Sequence, residues 1–222
     1  MPSGPSVQDR EPVPARNPRD DAACTRDGAG PAAPVLALVA LGANLPSSAG
    51  PPEATLRAAL GALGTDNVAC GPIRPSRLWR SPSWPPGGPD YVNAAAAFET
   101  LLSPDRLLGR LHALEAAFGR RREGRWTARS LDLDLLAWGD AIRPDPATAK
   151  AWRDLPPARQ GREAPDGLVL PHPRLQDRAF VLLPLAEIAP SWRHPALGLT
   201  VSALLSALPA EALRDVRPLG PV

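Results

Sequence analysis

Two aspartates, Asp132 and Asp134, stand two residues apart in the otherwise apolar segment 131–136. If this segment is a strand, both carboxylates project from the same face, because side chains alternate between the two faces of a strand. Two uncompensated carboxylates this close repel each other and raise each other's pKa, and a hard divalent cation removes that penalty. Magnesium prefers one or two carboxylates together with substrate phosphate oxygens, so the pair predicts a magnesium and nucleotide site.

A cluster of arginines precedes the aspartates in the segment 119–129. Glycines at positions 119 and 124 interrupt any helix there, so the cluster is predicted to lie on a loop, where functional side chains concentrate. The cluster comprises Arg120, Arg121, Arg122, Arg125 and Arg129. Metal-binding acids beside phosphate-binding arginines indicate phosphoryl transfer, but a solvated strand face and a solvated basic turn remain alternatives. The sequence has no P-loop and no protein-kinase glycine loop.

Two further groups of residues could contact a ligand. Tyr91 and Phe180 could sandwich a flat heterocycle while Asn93 reads its hydrogen-bonding edge; core packing is the alternative. On a predicted helix over 103–118, three side chains form a ridge beside the apolar stripe. This ridge, which consists of Leu108, His112 and Glu115, could be a ligand wall or simply a half-exposed helix edge.

The elements that must position these residues mix strands and helices without a steady alternation, which favours an α+β fold. The predicted strands are 35–44, 75–82, 91–100 and 130–139, and the predicted helices are 51–63, 103–118 and 199–208. Segment 168–190 is predicted to form a short strand, a turn and a helix. Residues 140–166 are polar and proline-rich and are predicted to form a surface insertion.

Composition indicates one globular domain with an appendage. The chain has 222 residues and 44% hydrophobic residues, both ordinary for a single domain. Residues 1–34 are rich in proline and poor in large apolar side chains, so they are predicted to form a disordered tail, and the domain to span 35–222. Outside the tail the chain has 21 basic and 18 acidic residues, and this net charge of +3 suits an anionic small molecule and does not by itself indicate nucleic acid. With no secretory signal and no apolar run long enough to span a bilayer, the chain is predicted to be cytoplasmic and free of the membrane.

Four blocks of the sequence, in order, resemble the 6-hydroxymethyl-7,8-dihydropterin pyrophosphokinase family of folate biosynthesis. They are LGANL, RSPSWPPGGPDYVNAA, LEAAFGRRREGRWTARSLDLDLL and LPHPRLQDRAFVLLPLAEIAP, and the resemblance runs from about Leu36 to Leu205. It implies a ferredoxin-like α+β fold, a three-layer αβα sandwich that is usually monomeric. It also implies an ATP- and magnesium-dependent diphosphokinase that transfers diphosphate from ATP to the pterin hydroxymethyl group and releases AMP.

The resemblance implies roles for individual residues as well. Asp132 and Asp134 would hold two magnesium ions that bridge the ATP phosphates. The arginines expected to act in catalysis are Arg120, Arg122 and Arg129. The residues expected to contact ATP are Leu108, His112, Glu115, Arg122, Arg129, Leu135, His172 and Arg178. The residues expected around the pterin are Ser81, Pro82, Trp84, Tyr91, Asn93, Trp126 and Phe180, with Tyr91 and Phe180 sandwiching the ring and Asn93 hydrogen-bonded to it.

Several positions depart from the family's usual pattern. Ala43, Ser81, Thr127, Val169 and Pro173 stand where the family more often has serine, threonine, a smaller residue, a polar residue and an aromatic residue, respectively. These departures leave the metal ligands and the pterin sandwich in place. They are therefore expected to affect nucleotide affinity more than reaction type. The tail and the segment 140–166 lie outside the resemblance.

Two other classes of protein could use some of the same residues. A nucleotidyltransferase could use the aspartate pair without a pterin sandwich, so its activity would survive a Tyr91→Ala substitution. A non-enzymatic ferredoxin-like module could bind RNA, but it would interleave aromatic residues with a basic sheet face. Here the arginines cluster in one loop and the strands are rich in alanine and leucine, which favours the pyrophosphokinase.

Overall fold

The structure, a computed structural model, describes residues 31–65, 67–83, 86–119, 129–160 and 162–220. The predicted N-terminal tail lies outside this part of the chain as far as residue 30. Among the described residues, no helix is both long enough and apolar enough to cross a membrane.

An antiparallel sheet forms the middle layer of the domain. The described residues contribute six strands: β1 (Val35–Ala43), β2 (Arg74–Pro75), β3 (Leu78–Ser81), β4 (Tyr91–Thr100), β5 (Asp132–Trp138) and β6 (Arg217–Gly220). Their order is β5-β1-β4-β3-β6, and β2 pairs with β4. The long apolar strand β1 therefore lies between β4 and β5, where both of its faces are covered. A strand buried on both faces has a nearly continuous apolar sequence, as β1 does.

Helices cover both faces of the sheet. They are α1 (Pro52–Thr65), α2 (Pro104–Ala117), α3 (Pro146–Arg153), α4 (Pro157–Gln160), α5 (Ala179–Ile188), α6 (Val201–Ser206) and α7 (Ala210–Leu213), with a 3₁₀ turn at Leu175–Asp177. Leucines of α1 and α2 form one apolar core with Val39 and Leu133. Apolar side chains of α5 and α6 form a second core with Leu38 and Leu136 on the opposite face. These layers confirm the predicted α+β fold with an αβα sandwich.

The strand predicted over 75–82 is divided in two. Pro75 has no N–H to donate to a strand ladder. At the next residue, Ser76, the side-chain hydroxyl takes part in the pairing, because the backbone N–H of Ala95 donates to its oxygen at 2.9 Å. Regular pairing resumes only at β3, where Trp79 lies opposite Asn93.

The segment 140–166, predicted to be a surface insertion, contains helical structure. It contains α3 and α4, and Ala149 of α3 is buried. Asp145 caps α3, accepting hydrogen bonds from the backbone N–H groups of Ala147 and Thr148. Pro146 occupies the first turn, where its missing N–H costs nothing. The polar composition of the segment therefore reflects a short capped helix and its exposed face.

Two predictions near the C-terminal side are corrected. The short strand expected after residue 168 is reduced to an isolated bridge between Arg143 and Leu170. The predicted helix 199–208 is confirmed as α6, but it is not the last element described, because α7 and β6 follow it. β6 pairs with β3 at the sheet edge. Proline at 218 and glycine at 220 conceal this strand in the sequence, since both residues are uncommon in strands.

The His194 side chain forms hydrogen bonds within the loop before α6, and its burial makes the free energy of unfolding depend on pH. Its Nδ1 accepts hydrogen bonds from the N–H groups of Ala196 and Leu197, each at 3.2 Å, and the residue is 2% exposed. Burial, together with the nearby charge of Arg153, lowers the pKa of His194 to about 4. The folded chain therefore holds His194 in its neutral form.

We expect the free energy of unfolding to decrease as the pH falls from about 6.5 towards 4. In that window the unfolded chain binds a proton at His194 and the folded chain does not, which costs up to about 3 kcal/mol. Asparagine can also accept hydrogen bonds from N–H groups but does not titrate. The slope of unfolding free energy against pH should therefore decrease in His194→Asn by the amount that corresponds to about one bound proton. Urea titrations at several pH values measure this slope. An unchanged slope in His194→Asn would contradict the assignment.

Candidate active site

A cavity of about 480 Å³ opens on the α5 face of the sheet. Strands β1, β3, β4 and β5 contribute Ala40, Leu41, Gly42, Ser81, Tyr91, Asn93, Asp132 and Asp134 to its lining, and Pro82 and Arg129 adjoin them. The loop before α5 and the helix itself contribute His172, Pro173, Arg174, Arg178, Phe180 and Val181. Acidic, basic, amide and aromatic groups thus share one concave site, which is the usual form of a small-molecule site.

The floor of the cavity exists because β1 carries very small side chains there. Gly42 pairs with Asp132 on one side and with Asn93 on the other, and Ala40 pairs with Asp134. A Cβ on Gly42 would lie 3.6 Å from Oδ1 of Asn93. The carboxylates of β5 and the amide of β4 therefore lie on the same sheet face with only small side chains between them. Two strand spacings separate them by about 10 Å.

The two aspartates project into the cavity as the alternation predicts. Leu131, Leu133 and Leu135 point instead into the core beneath α1 and α2. Asp132 forms an ion pair with Arg129, whose Nη1 lies 2.6 Å from Oδ2. Although burial alone would lower it, the pKa of Arg129 is raised by the neighbouring carboxylates. Arg129 therefore already supplies positive charge at the position where a cation would bind.

Arg129 is held in place by the segment that follows β1. The side-chain oxygen of Asn44 accepts a hydrogen bond from the Arg129 N–H at 2.7 Å, and the Arg129 carbonyl accepts from the N–H groups of Asn44 and Leu45. The Asn44 amide also donates to the Pro89 carbonyl at 3.3 Å. Asn44 is buried and joins the segment after β1 to the segments that precede β4 and β5. The sequence prediction did not include it, although it lies in the quoted block LGANL.

Asn93 has a fixed orientation. Its Nδ2 donates to the Ser81 hydroxyl at 3.0 Å, inside a buried environment. The opposite atom, Oδ1, faces the space above Gly42. Asn93 therefore presents an acceptor towards the cavity. Tyr91 lies two residues away on the same face, and burial raises the pKa of its phenol, so that it stays neutral near pH 7.

An exposed aromatic ring borders the cavity on the α5 side. Phe180 is 36% exposed, which is high for a phenylalanine in a folded domain. The guanidinium carbon of Arg178 lies 5.6 Å from the centre of its ring. Phe180 and Tyr91 come from different layers and line the same cavity. The arrangement leaves an aromatic face open to a planar ligand.

The imidazole of His172 is neutral and has a fixed orientation. Its backbone N–H donates to the Leu136 carbonyl at 2.8 Å, which fixes the loop beside β5. Its Nδ1 accepts from the Arg174 N–H at 3.1 Å, so the neutral ring carries its proton on Nε2. Burial, followed by the charges of Arg178 and Arg174, lowers the pKa of His172 to about 3. A neutral imidazole with an Nε2–H can donate to an anion without carrying charge.

Some predicted site residues are not brought into this cavity. Leu135 is buried in the core on the other face of the sheet, and Glu115 of α2 accepts a hydrogen bond from the Leu133 N–H at 2.7 Å. Leu108 and His112 lie on the same helix and are absent from the cavity lining. The assignment of these four residues to ATP stays a prediction. Four other predicted residues lie outside the described part of the chain, namely Trp84, Arg120, Arg122 and Trp126.

The prediction missed one wall of the cavity. Six residues of the segment 140–166 line it: Trp152, Leu155, Gln160, Glu163, Ala164 and Pro165. The helix start at Asp145 and Pro146 is the sequence signal that could have indicated order there. No local pattern indicates that the segment folds back over the sheet, because that depends on contacts distant in sequence.

The carboxylate pair fits a magnesium site that is completed by a ligand. Among the described residues, no three His, Cys, Asp or Glu side chains converge as a closed metal cage. Magnesium is usually held by one or two carboxylates and takes further oxygens from phosphates and water. Asp132 and Asp134 present such oxygens in a cavity that also holds Arg129 and Arg178.

Comparison with known proteins gives a consistent result. A family model described as 7,8-dihydro-6-hydroxymethylpterin-pyrophosphokinase (HPPK) matches residues 38–190. A 2-amino-4-hydroxy-6-hydroxymethyldihydropteridine pyrophosphokinase of Synechocystis is 38% identical over 186 residues, covering 82% of this chain and 80% of the relative. A protein of the same name from Pseudomonas aeruginosa is 38% identical over 179 residues, covering 79% and 93%.

Solved structures show the same fold at lower identity. The Plasmodium falciparum HPPK-DHPS wild type with pteroate matches with a TM-score of 0.55 and 14% identity, over 78% of this chain. The match covers 44% of that longer chain, so the present chain spans less than half of it. At this identity the similarity shows the fold alone.

Proposed function

The chain belongs to the 7,8-dihydro-6-hydroxymethylpterin-pyrophosphokinase (HPPK) family, and from that premise we propose that it transfers diphosphate from ATP to 6-hydroxymethyl-7,8-dihydropterin and releases AMP. It is accordingly a kinase-type transferase of folate biosynthesis. The observation that carries the proposal is the row Asp132, Gly42, Asn93. It supports the proposal because carboxylates suited to metal and phosphate, and an amide suited to a heterocycle, share one open floor.

The reaction requires position and charge more than a reactive side chain. The pterin hydroxymethyl oxygen forms a bond to the β-phosphorus, the bond between that phosphorus and the α,β-bridging oxygen breaks, and the hydroxyl proton is lost. AMP leaves with the bridging oxygen. Transfers of this kind depend on alignment of the two substrates and on neutralising the phosphate charge.

Asp132 and Asp134 would hold magnesium, and we propose two ions. When bound, magnesium neutralises charge on the phosphates and orients them. Arg129 would then exchange its ion pair with Asp132 for a phosphate oxygen, since it already lies beside that position. Arg178 and the Nε2–H of His172 would contact phosphate oxygens from the opposite wall.

The pterin would occupy the β4 side of the floor. Oδ1 of Asn93 would accept from an N–H of the ring edge, with Ser81 holding the amide in that orientation. Tyr91 and Phe180 would cover the two faces of the ring. The exposed ring of Phe180 on the cavity wall supports this assignment, because a bound heterocycle would cover it. We further propose that the enzyme acts as a monomer in the cytoplasm.

The test is a product assay with purified chain, ATP, magnesium and 6-hydroxymethyl-7,8-dihydropterin. Chromatography should show AMP that forms only when the pterin is present. Accumulation of ADP, or AMP formation that does not depend on the pterin, would overturn the proposed reaction.

A further inference from the structure

We propose that the segment beginning at Asp145 forms the purine side of the nucleotide site, with Trp152 and Leu155 as the surface against the base. This inference rests on the proposed function, because it deepens the ATP site. The residues of this insertion wall, all of which line the cavity, are Trp152, Leu155, Gln160, Glu163, Ala164 and Pro165. None of them belongs to the resemblance from which the other site residues were predicted.

Arg174 fixes the insertion wall to the site. Its guanidinium donates to the carbonyls of Trp152 at 3.5 Å, Arg153 at 3.5 Å and Leu155 at 3.3 Å. Its side chain is only 12% exposed. The N–H of the same residue orients the imidazole of His172. One arginine thus couples the end of α3 to a histidine that faces the phosphates, so the wall has a defined position relative to them.

The wall lies on the phosphate side of the cavity. The backbone N–H of His172 donates to the Leu136 carbonyl of β5, and β5 is an edge strand of the described sheet. The pterin-directed Asn93 lies on β4, two strands further in, at about 10 Å by strand spacing. The insertion wall is anchored beside His172. It therefore lies next to β5, at the end of the cavity opposite Asn93. A molecule that reaches it extends away from the pterin, as the nucleoside of ATP must when its β-phosphorus faces the pterin.

The chemistry of the wall suits a purine. An indole and an aliphatic side chain offer a flat apolar surface, on which a base of any type can stack. Gln160 also lines the cavity and can donate to and accept from a base edge. Its amide already donates to the Leu155 carbonyl, which holds it on the wall. The charged residue of the wall, Glu163, forms an ion pair with Arg159, and none of the six lining residues is basic.

Binding measurements with a base and without one test the inference. In the presence of magnesium, Trp152→Ala should weaken α,β-methylene-ATP about 10-fold and change tripolyphosphate affinity less than about twofold, because only the base is lost from contact. Trp152→Phe should recover most of the affinity. The control is Lys150→Ala in the same helix, whose side chain is 67% exposed and does not line the cavity.

Several outcomes separate this inference from the proposed function. Equal weakening of both ligands, unchanged binding of the analogue, or weakened pterin binding in Trp152→Ala would each overturn the inference while pterin-dependent AMP formation stands. A wild-type chain that binds neither ligand overturns both. If Trp152→Ala does not fold, Leu155→Ala should show the same base-selective loss at about threefold, and a Leu155→Ala chain without it contradicts the proposal.

Discussion

Replacing Asp134 with asparagine should lower kcat/KM for ATP at least about 1,000-fold, and Asp132→Asn should do the same, while both chains stay folded. Both carboxylates line the cavity, and their strand is fixed from behind by the core leucines. Asparagine preserves shape and removes the charge that magnesium requires. Pterin-dependent AMP formation measures the loss, and thermal unfolding without magnesium should give a Tm close to that of the wild type.

Asp105→Asn is the matched control, since that carboxylate lies on the surface with its side chain 63% exposed. It should retain wild-type turnover. An Asp134→Asn chain that unfolds would mean that the carboxylate is structural. A folded Asp134→Asn chain with full activity would remove Asp134 from the reaction.

Asn93→Ala should raise the KM for the pterin about 50-fold and leave the Kd for α,β-methylene-ATP within about twofold. The substitution removes the cavity-facing acceptor, and a buried site that loses one hydrogen-bonding group no longer matches its ligand. The side chain touches the β4 end of the floor, away from the aspartates. Steady-state kinetics with each substrate varied in turn separate the two effects.

Glu99→Gln on the same strand serves as the control, because Glu99 is exposed and does not line the cavity. Ser81→Ala should reproduce part of the Asn93→Ala effect, since the Ser81 hydroxyl accepts a hydrogen bond from the Asn93 amide and so fixes its orientation. If Asn93→Ala instead weakens the ATP analogue as much as the pterin, the amide does not belong to the pterin side.

The site residues on β4 and β5 could be predicted because they follow a local rule. Period-two alternation places Asp132 and Asp134 on one face and Leu131, Leu133 and Leu135 on the other. Tyr91 and Asn93 follow the same rule on β4. The small residues Ala40 and Gly42 on β1 give this shared face its depth, which becomes visible only once the strand order is known.

The parts that the sequence did not predict depend on contacts between distant segments. Arg174 docks the insertion wall onto the cavity across about twenty residues of chain, and no local pattern encodes that contact. β6 joins β3 although Pro218 and Gly220 weaken its strand signal. The ridge predicted on α2 includes Glu115, which is buried and accepts a hydrogen bond from the Leu133 N–H, and periodicity alone does not reveal that contact.

The most direct test of the account follows the two transferable phosphorus atoms of ATP. Parallel reactions use ATP carrying ³²P at the β position or at the γ position, with magnesium and 6-hydroxymethyl-7,8-dihydropterin. Diphosphate transfer predicts that both labels appear in the pterin product in equal amounts and that the remaining nucleotide, AMP, carries neither. A γ label on the pterin with the β label left on ADP would contradict the central claim.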